Sequence, residues 1–304
     1  MAIQEQFVSE EARASLTFLL NDEASEAMRT RPGFNAASRA LVDCWRLPEG
    51  DDEEDRAFAR NLRDLGRFVA GIWALYLHST PGGLTLTRLS SLLEAGQVSG
   101  PGRGRAILIY LQFIGYVTRG ATTGDARLKL YVPTQRLIGA FRRRLIRELT
   151  AMTGMHPAIA GTLGHLREPG AFEIYAELMG EIYAAYMGVR QRPGPTLEMF
   201  AQRYAGMMML GELLACAAPD DVFPPRGPLR YSLSAIARVA GVSRAQVRRA
   251  FREAEAVGFL SLPEEGLALP TPLLARHIEL ATAAEILGCL WCSERFMTRI
   301  AQRQ

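Results

Sequence analysis

One pattern of helix, turn and strand residues occurs twice in this chain of 304 residues. The first copy runs from Leu84 to Gly120 and the second from Tyr231 to Leu262. Each begins with a leucine and a small hydroxyl residue, Leu86-Thr87 in one and Leu233-Ser234 in the other. Each later has a glycine between apolar residues, and each is followed by an apolar strand that closes with a Pro-Thr pair, Pro133-Thr134 or Pro270-Thr271. Such an internal repeat predicts two related units, one in each half of the chain.

The second copy has the residue order of a helix, a tight turn and another helix. Ser234 is a suitable N-cap for a short helix that ends at Ala240, and Gly241 supplies the turn. Ser243 is placed to cap a longer helix, which Gly258 ends. Two helices joined in this way are typical of helix-turn-helix units that bind DNA.

The longer helix is predicted to have an apolar face and a basic face. The apolar positions, which should point inward, are Val247, Ala250, Phe251, Ala254 and Val257. The opposite face and the N-terminal end hold the candidate DNA contacts, which are Ser243, Arg244, Gln246, Arg248, Arg249 and Arg252. Arginine pairs bidentately with guanine and glutamine with adenine. Residues 226–252 include seven arginines and no acidic residue, so the charge of this stretch has one sign.

The corresponding helix of the first copy has a different N-terminal end. Arg103 and Arg105 are its candidate DNA contacts. Gly102 and Gly104 weaken the helix but permit a close approach of the backbone to a phosphate. A nucleotide-binding phosphate loop is excluded, because no Gly-Lys-Ser/Thr follows and no strand precedes the glycines.

A hairpin is predicted after the longer helix in both copies, and each hairpin would form a wing. In the first wing Arg119, Arg127 and Lys129 are candidate contacts to phosphates or to the adjacent minor groove. The tip of the second wing carries Glu264 and Glu265, whose charge should keep it away from phosphate. We therefore expect the two units to contribute unequally to DNA binding.

The segment from Ser243 to Leu260 resembles the MarR-type winged helix-turn-helix regulators. The residues that carry the resemblance are Ser243, Val247, Arg249, Gly258, Phe259 and Leu260. Ala254 departs from it, since the family usually has a leucine there. Family members are usually homodimers with one module per chain, so the resemblance implies a covalently linked pseudo-dimer here. It also allows a small-molecule effector, which these residues do not identify.

Helical spacing of apolar residues dominates the rest of the chain. The predicted helices outside the repeats span residues 10–20, 35–46, 55–78, 135–152, 171–188, 197–217 and 272–302. We expect a mainly α fold with two small β-hairpin wings, in which flanking helices form the pseudo-dimer interface. Residues 1–150 would hold the first winged helix-turn-helix at about 66–135. Residues 151–304 would hold the second at about 200–272, followed by a C-terminal helix.

Other residue patterns indicate neither catalysis nor a bound cofactor. Cys289 and Cys292 form a CxxC inside an apolar helical stretch, but no further metal ligands accompany them. The four histidines are scattered and show no metal-ligand spacing. We expect a protein that is not an enzyme and binds no metal. The N-terminal residues lack the pattern of a signal peptide and no apolar stretch spans a bilayer, so a cytoplasmic location without membrane contact is expected.

These observations predict a transcription regulator that binds double-stranded DNA sequence-specifically. Its two recognition helices would enter successive major grooves of an imperfect palindrome. The net charge of +3 permits this function without requiring it. Two alternatives stay open, namely a winged-helix scaffold that binds proteins and a tandem winged-helix replication initiator. The chain would act as a monomeric pseudo-dimer or as a homodimer.

Overall fold

The computed structural model describes most of the chain and shows a mainly helical protein with two small three-stranded antiparallel sheets. The described ranges are 22–48, 53–98, 102–121, 129–189, 196–218 and 221–303, together with the single residues 8, 10, 12, 14 and 100. Within these ranges, no helix combines the length and the apolar character that crossing a membrane requires.

The first half contains seven helices and one sheet within the described residues. In chain order they are α1 (Asp22–Arg29), α2 (Phe34–Asp43), α3 (Glu53–Asn61), α4 (Leu65–Ser79), β1 (Leu84–Thr85), α5 (Leu86–Ala95), α6 (Arg103–Phe113), β2 (Val117–Arg119), β3 (Leu130–Pro133) and α7 (Gln135–Ala151). A short 3-10 helix follows at Thr153–Met155.

The second half begins with helices and then repeats the order of the first sheet. Its elements are α8 (Pro157–His165), α9 (Ala171–Val189), α10 (Glu198–Ala201), α11 (Gly206–Leu214), β4 (Leu229–Arg230), α12 (Leu233–Ala240), α13 (Arg244–Ala256), β5 (Leu260–Glu264), β6 (Leu267–Pro270) and α14 (Pro272–Ala301). The order helix, strand, helix, helix, strand, strand, helix thus occurs from α4 to α7 and again from α11 to α14.

Strand pairing is the same in the two copies. The sheet orders are β1-β3-β2 and β4-β6-β5. Val117 pairs with Pro133 in the first sheet, as Leu260 pairs with Pro270 in the second. The sequence predicted a two-stranded hairpin in each copy. The structure adds a third strand of two residues to each, β1 and β4, which pairs with the last strand of its sheet.

A glycine and a threonine hold the same corner in both copies. Gly115 and Gly258 have positive φ angles of 74° and 83°, a conformation that glycine adopts without strain. Thr134 donates its hydroxyl to the carbonyl of Gly115 at 2.7 Å, and Thr271 donates to Gly258 at 2.7 Å. The same two threonines accept the backbone N–H that caps α7 and α14. This explains why both residues recur in the repeated sequence.

The predicted helices differ from the observed ones mainly in where they break. The helix expected over 55–78 is two helices, because Asp64 caps the second by accepting the backbone N–H of Arg67 at 3.0 Å. The helix expected over 197–217 is broken before Ala205, which has a φ of 57°. The N-cap of α12 is Ser232 and not Ser234, since Ser232 accepts the N–H of Ala235.

The long helices agree closely with their predictions. α7, α9 and α14 coincide with the predicted 135–152, 171–188 and 272–302 to within one residue at either end. Two helices were not predicted, namely α1 and α8. The helix predicted for residues 10–20 lies mostly outside the described residues.

Two hydrophobic cores underlie the two copies, and α14 belongs to both. The first core joins residues from α1 to α9 with the C-terminal part of α14, from Ala283 to Ile300. The second joins Val42 of α2 and residues from α10 to α13 with the start of α14, up to Ile278. α9 packs between α4 and α14. Ser38 of α2 and Thr282 of α14, both buried, share a 2.7 Å hydrogen bond where the cores meet.

Candidate nucleic-acid interface

The N-terminus of α13 is fixed by a reciprocal capping arrangement. The hydroxyl oxygen of Ser243 accepts the backbone N–H of Gln246 at 3.2 Å, and Ser243 donates its own N–H to Oε1 of Gln246 at 2.8 Å. Gly241, with a φ of 60°, ends α12 and turns the chain toward this cap. On the inner side of α13, Val247 and Phe251 are buried in the second core. The helix is therefore held at its start and along one face.

All six candidate contacts predicted on this helix are exposed. They are Ser243, Arg244, Gln246, Arg248, Arg249 and Arg252. Val257 departs from the expectation that it would pack inward, because α13 ends at Ala256 and leaves Val257 38% exposed. The basic face therefore lies on the surface, as the helical wheel predicted.

Gln246 has a structural role that the sequence did not indicate. Its Oε1 accepts the N–H of Ser243, and bidentate pairing with adenine needs that same oxygen. A bidentate contact with a base, through both the amide oxygen and the amide NH2 of Gln246, would therefore compete with the cap of α13. Arg249 faces no such competition within the described structure, where neither it nor Arg244 belongs to an ion pair.

Three other arginines on this side of the molecule have acidic partners. Arg248 lies 2.9 Å from Glu265, and Arg252 lies 2.9 Å from Glu255. Arg230 is 3.8 Å from Glu264. The backbone N–H of Leu262, followed by the guanidinium of Arg252, holds the pKa of Glu255 below its ordinary value. These exposed pairs add little to stability, but they reduce the positive charge that the surface presents.

The turn between β5 and β6 lies beside α13. The sequence predicted that Glu264 and Glu265 would keep this tip away from phosphate, and the structure places Glu265 next to Arg248. A cleft of about 230 Å³ lies between the tip, the start of α13 and the start of α12. Its lining residues are Tyr231, Ser232, Leu233, Ser234, Arg244, Arg248, Glu265 and Gly266. The residues that line the cleft thus include two arginines, three with hydroxyl groups and one carboxylate, beside the N-terminus of α12.

The first copy presents its candidate arginines differently. Arg103 lies 3.4 Å from the buried carboxylate of Asp64, which also pairs with Arg67 and caps α4. Arg105 is exposed, and no ion pair involves it within the described residues. Arg103 is thus partly engaged in holding α6 against α4, which leaves Arg105 as the freer cation of the two.

Gly104 serves packing and not the approach of a phosphate. It is buried, and a Cβ added there would lie 2.5 Å from the hydroxyl oxygen of Ser90 on α5. Gly102, in contrast, is exposed and has open space around it. The expectation of a close backbone approach through both glycines is therefore wrong for Gly104, because α5 occupies that side.

The hairpin of the first copy is described in part. Arg119 at the end of β2 and Lys129 just before β3 are exposed. The third predicted contact, Arg127, lies outside the described residues, as does the tip from Thr122 to Asp125. Two cations of this predicted wing are therefore available at the surface.

Sequence reasoning missed two exposed apolar side chains on the outer face of α6. Ile109 is 54% exposed and Phe113 is 86% exposed. The spacing of four residues puts them on one stripe of the helix. The signal was present in the sequence, since both fall outside the packing face formed by Ile107, Leu108 and Leu111.

The cysteines and acidic residues form no metal centre within the described part of the chain. Cys289 and Cys292 lie on α14 as free thiols, and burial raises the pKa of both. A raised pKa disfavours the reactive thiolate, which agrees with packing as their role.

Comparisons of the chain with models of protein families, with curated proteins and with solved structures find no match. The positions of side chains on α13, on α6 and in the cleft are therefore the basis for assigning a function.

Proposed function

We propose that this protein is a transcription regulator that binds double-stranded DNA sequence-specifically through two winged helix-turn-helix units. The observation that carries the proposal is the outer face of α13, where Arg248, Arg249 and Arg252 are exposed behind a capped N-terminus. Arginine is the side chain that most often contacts guanine in the major groove. In this proposal α12 and α13 form the helix-turn-helix, and β5 and β6 form the wing.

The cleft beside Arg244 suits a phosphate of the DNA backbone. The N-terminus of α12 favours an anion, because its N–H groups and helix dipole point toward it. Arg244 and Arg248 add positive charge, and Ser232 and Ser234 add hydroxyl groups. Glu265 opposes them with one negative charge, so a phosphate would replace it as the partner of Arg248. A phosphate held there would fix the register of α13 in the groove and leave the base edges to Arg249.

The duplicated order of elements supports a second unit built on α5, α6 and the β2–β3 hairpin. Two recognition helices would then enter successive major grooves, about 34 Å apart. Because the residues on α6 and α13 differ, the DNA site would be an imperfect palindrome. The resemblance to MarR-type regulators supports a pseudo-dimer, which α9 and α14 would join and which would act alone or as a homodimer. In this role the protein would be cytoplasmic and would not be an enzyme.

Selection of bound sequences from a random duplex library tests this function. The wild type is expected to enrich one site, and Arg249→Ala is expected to weaken binding to it by about 1–3 kcal/mol and to relax the preference at one base position. Arg167→Ala is the control, since Arg167 is an exposed arginine in the loop before α9. It removes the same charge and should leave both affinity and preference unchanged.

Two results would contradict the proposal. If no sequence were enriched, specific DNA binding would be wrong. If Arg249→Ala and Arg167→Ala behaved alike, the surface of α13 would not be the part that reads the bases. The exposed Ile109 and Phe113 favour one alternative, a scaffold that binds proteins, and the experiment below separates the two.

A further inference from the structure

The outer faces of α6 and α13 can be compared position by position. Both helices lead into the same corner, at Gly115 in one copy and Gly258 in the other, and both glycines have a positive φ. Counting back from these glycines pairs buried residues with buried residues, namely Ile107 with Ala250, Leu108 with Phe251 and Leu111 with Ala254. The corner and the packing therefore fix a single register between the two helices.

In this register the outer stripes have different chemistry. On α13 the stripe is Ala245, Arg248, Arg249, Arg252 and Ala256. On α6 and its N-cap it is Gly102, Arg105, Ala106, Ile109 and Phe113. Ala106 stands at the position of Arg249, and Ile109 stands at the position of Arg252. The first copy thus presents apolar groups where the second presents cations.

An exposed Phe and an exposed Ile on one stripe mark a contact surface, because large apolar side chains gain free energy when they leave water. The charges around the stripe indicate which surface it meets. Arg105, Arg119 and Lys129 are exposed, and none has an ion-pair partner within the described residues. Between Leu84 and Ala121 the sequence holds a single acidic residue, Glu94. An apolar stripe among cations complements a polyanion that carries apolar groups.

Duplex DNA has one apolar group in its major groove, the C5-methyl of thymine. Ala and Phe are among the side chains that contact this methyl. The stripe from Arg105 to Phe113 spans about 12 Å at 1.5 Å per residue, which corresponds to about three to four base pairs along the groove at about 3.4 Å per base pair. The stripe therefore has the length and the chemistry for a run of thymines.

We propose that the first copy recognises a thymine-rich half-site through methyl contacts of Ala106, Ile109 and Phe113, whereas the second copy recognises guanine through its arginines. This inference rests on the proposed function and adds the base composition of each half of the site. It also explains why the chain carries both units, since a homodimer would present two identical stripes.

Replacing thymine with uracil in the selected site tests this inference, because uracil differs from thymine only in lacking the C5-methyl. The half-site of the second copy is first identified as the one whose preference relaxes in Arg249→Ala. Uracil in the other half-site is expected to weaken binding roughly fourfold for each methyl that is buried. Uracil in the half-site of the second copy is expected to change the affinity less than twofold.

Protein variants complete the experiment. Ile109→Ala and Phe113→Ala should each weaken binding to thymine-containing DNA and reduce the difference between thymine and uracil. Leu273→Ala is the control, because Leu273 is an exposed apolar residue at the start of α14. Leu273→Ala should leave unchanged both the affinity for DNA and the difference between thymine and uracil. All three side chains are exposed, so the cores are unaffected.

Three outcomes would overturn the inference. A specific site that tolerates uracil in both halves would leave DNA binding intact and exclude methyl recognition. A wild type that dimerises in sedimentation, with a Phe113→Ala variant that is monomeric and binds DNA normally, would assign the stripe to a protein contact. A chain that binds no duplex would overturn the inference together with the proposed function.

Discussion

Nη2 of Arg248 lies 2.9 Å from Oε1 of Glu265, so the turn between β5 and β6 neutralises one of the cations on α13. Both side chains are more than half exposed. A phosphate that approached Arg248 would have to separate this pair. The pair therefore competes with DNA for the same guanidinium.

Glu265→Gln is expected to strengthen DNA binding about two- to fivefold, because it frees Arg248 and removes a negative charge near the phosphates. The expected change in affinity follows from the free energy of an exposed ion pair, which is at most about 1 kcal/mol. Anisotropy titrations with a fixed duplex measure the change. Glu264→Gln is the matched control at the same tip, since the ion pair of Glu264 is with Arg230, which lies outside α13. Equal effects of both variants, or weaker binding by Glu265→Gln, would contradict the competition.

Packing of α9 against α4 leads to a second prediction. A Cβ built at Gly180 would overlap Tyr76, with only 2.5 Å to its Cγ. Gly180→Ala should therefore destabilise the protein by about 1–3 kcal/mol. Denaturant unfolding measures this loss. Gly164→Ala, on α8, has nothing within 4 Å of the new methyl and should be neutral or slightly stabilising. If both variants unfolded at the same denaturant concentration, the close approach of α9 and α4 would be wrong.

A group of charged residues between α7 and α14 gives the stability a pH dependence. Arg144 and Glu148 on α7 lie 2.7 Å apart, and both face Glu285 on α14. Burial, and then the charge of Glu148, raise the pKa of Glu285 to about 8, against the opposing effects of Arg144 and of a hydrogen bond from Trp45. Cys44, Tyr183 and Cys289 complete the titratable surroundings.

The raised pKa of Glu285 sets the direction in which stability changes with pH. Below the ordinary value of 4.5 the carboxyl is protonated in both the folded and the unfolded chain. As the pH rises toward 8, the unfolded chain loses the proton that the folded protein keeps, so stability declines. The stability of Glu285→Gln minus that of the wild type should therefore increase as the pH rises from 5 to 8.5.

Urea unfolding at these two pH values measures the effect of Glu285→Gln. Glu294→Gln on the same helix is the control, because Glu294 is exposed. Its difference from the wild type should be the same at both pH values. A difference for Glu285→Gln that stayed constant or shrank as the pH rose would show that Glu285 is ionised in the folded protein.

Much of the fold was predictable because it follows from local patterns. The repeat gave the positions of α12, α13 and the second hairpin, and the spacing of apolar residues gave the long helices. Gly258 acts through its positive φ and Ser243 through a hydrogen bond to a residue three positions later, so their roles at the ends of α13 were visible in the sequence. The basic outer face of α13 followed from the same periodicity.

The features that the sequence did not reveal depend on partners far along the chain. β1 and β4 contain two residues each, too few to show alternation, and they form only by pairing with β3 and β6. Arg103 was predicted as a candidate DNA contact, but its ion pair with Asp64, 39 residues earlier, was not predicted. The pair of Arg248 and Glu265 likewise exists only once the hairpin has folded back on α13. Local periodicity contains no information on such pairs.

The salt dependence of DNA affinity tests the central proposal most directly. For the wild type on its selected duplex, the logarithm of the association constant should fall with the logarithm of salt concentration by about 0.9 for each phosphate contact. Combining Arg244→Ala with Arg248→Ala should make the slope shallower by up to about 2, whereas Arg167→Ala should leave it unchanged. An affinity that does not depend on salt, or equal slopes for all three proteins, would contradict DNA binding by the surface of α13.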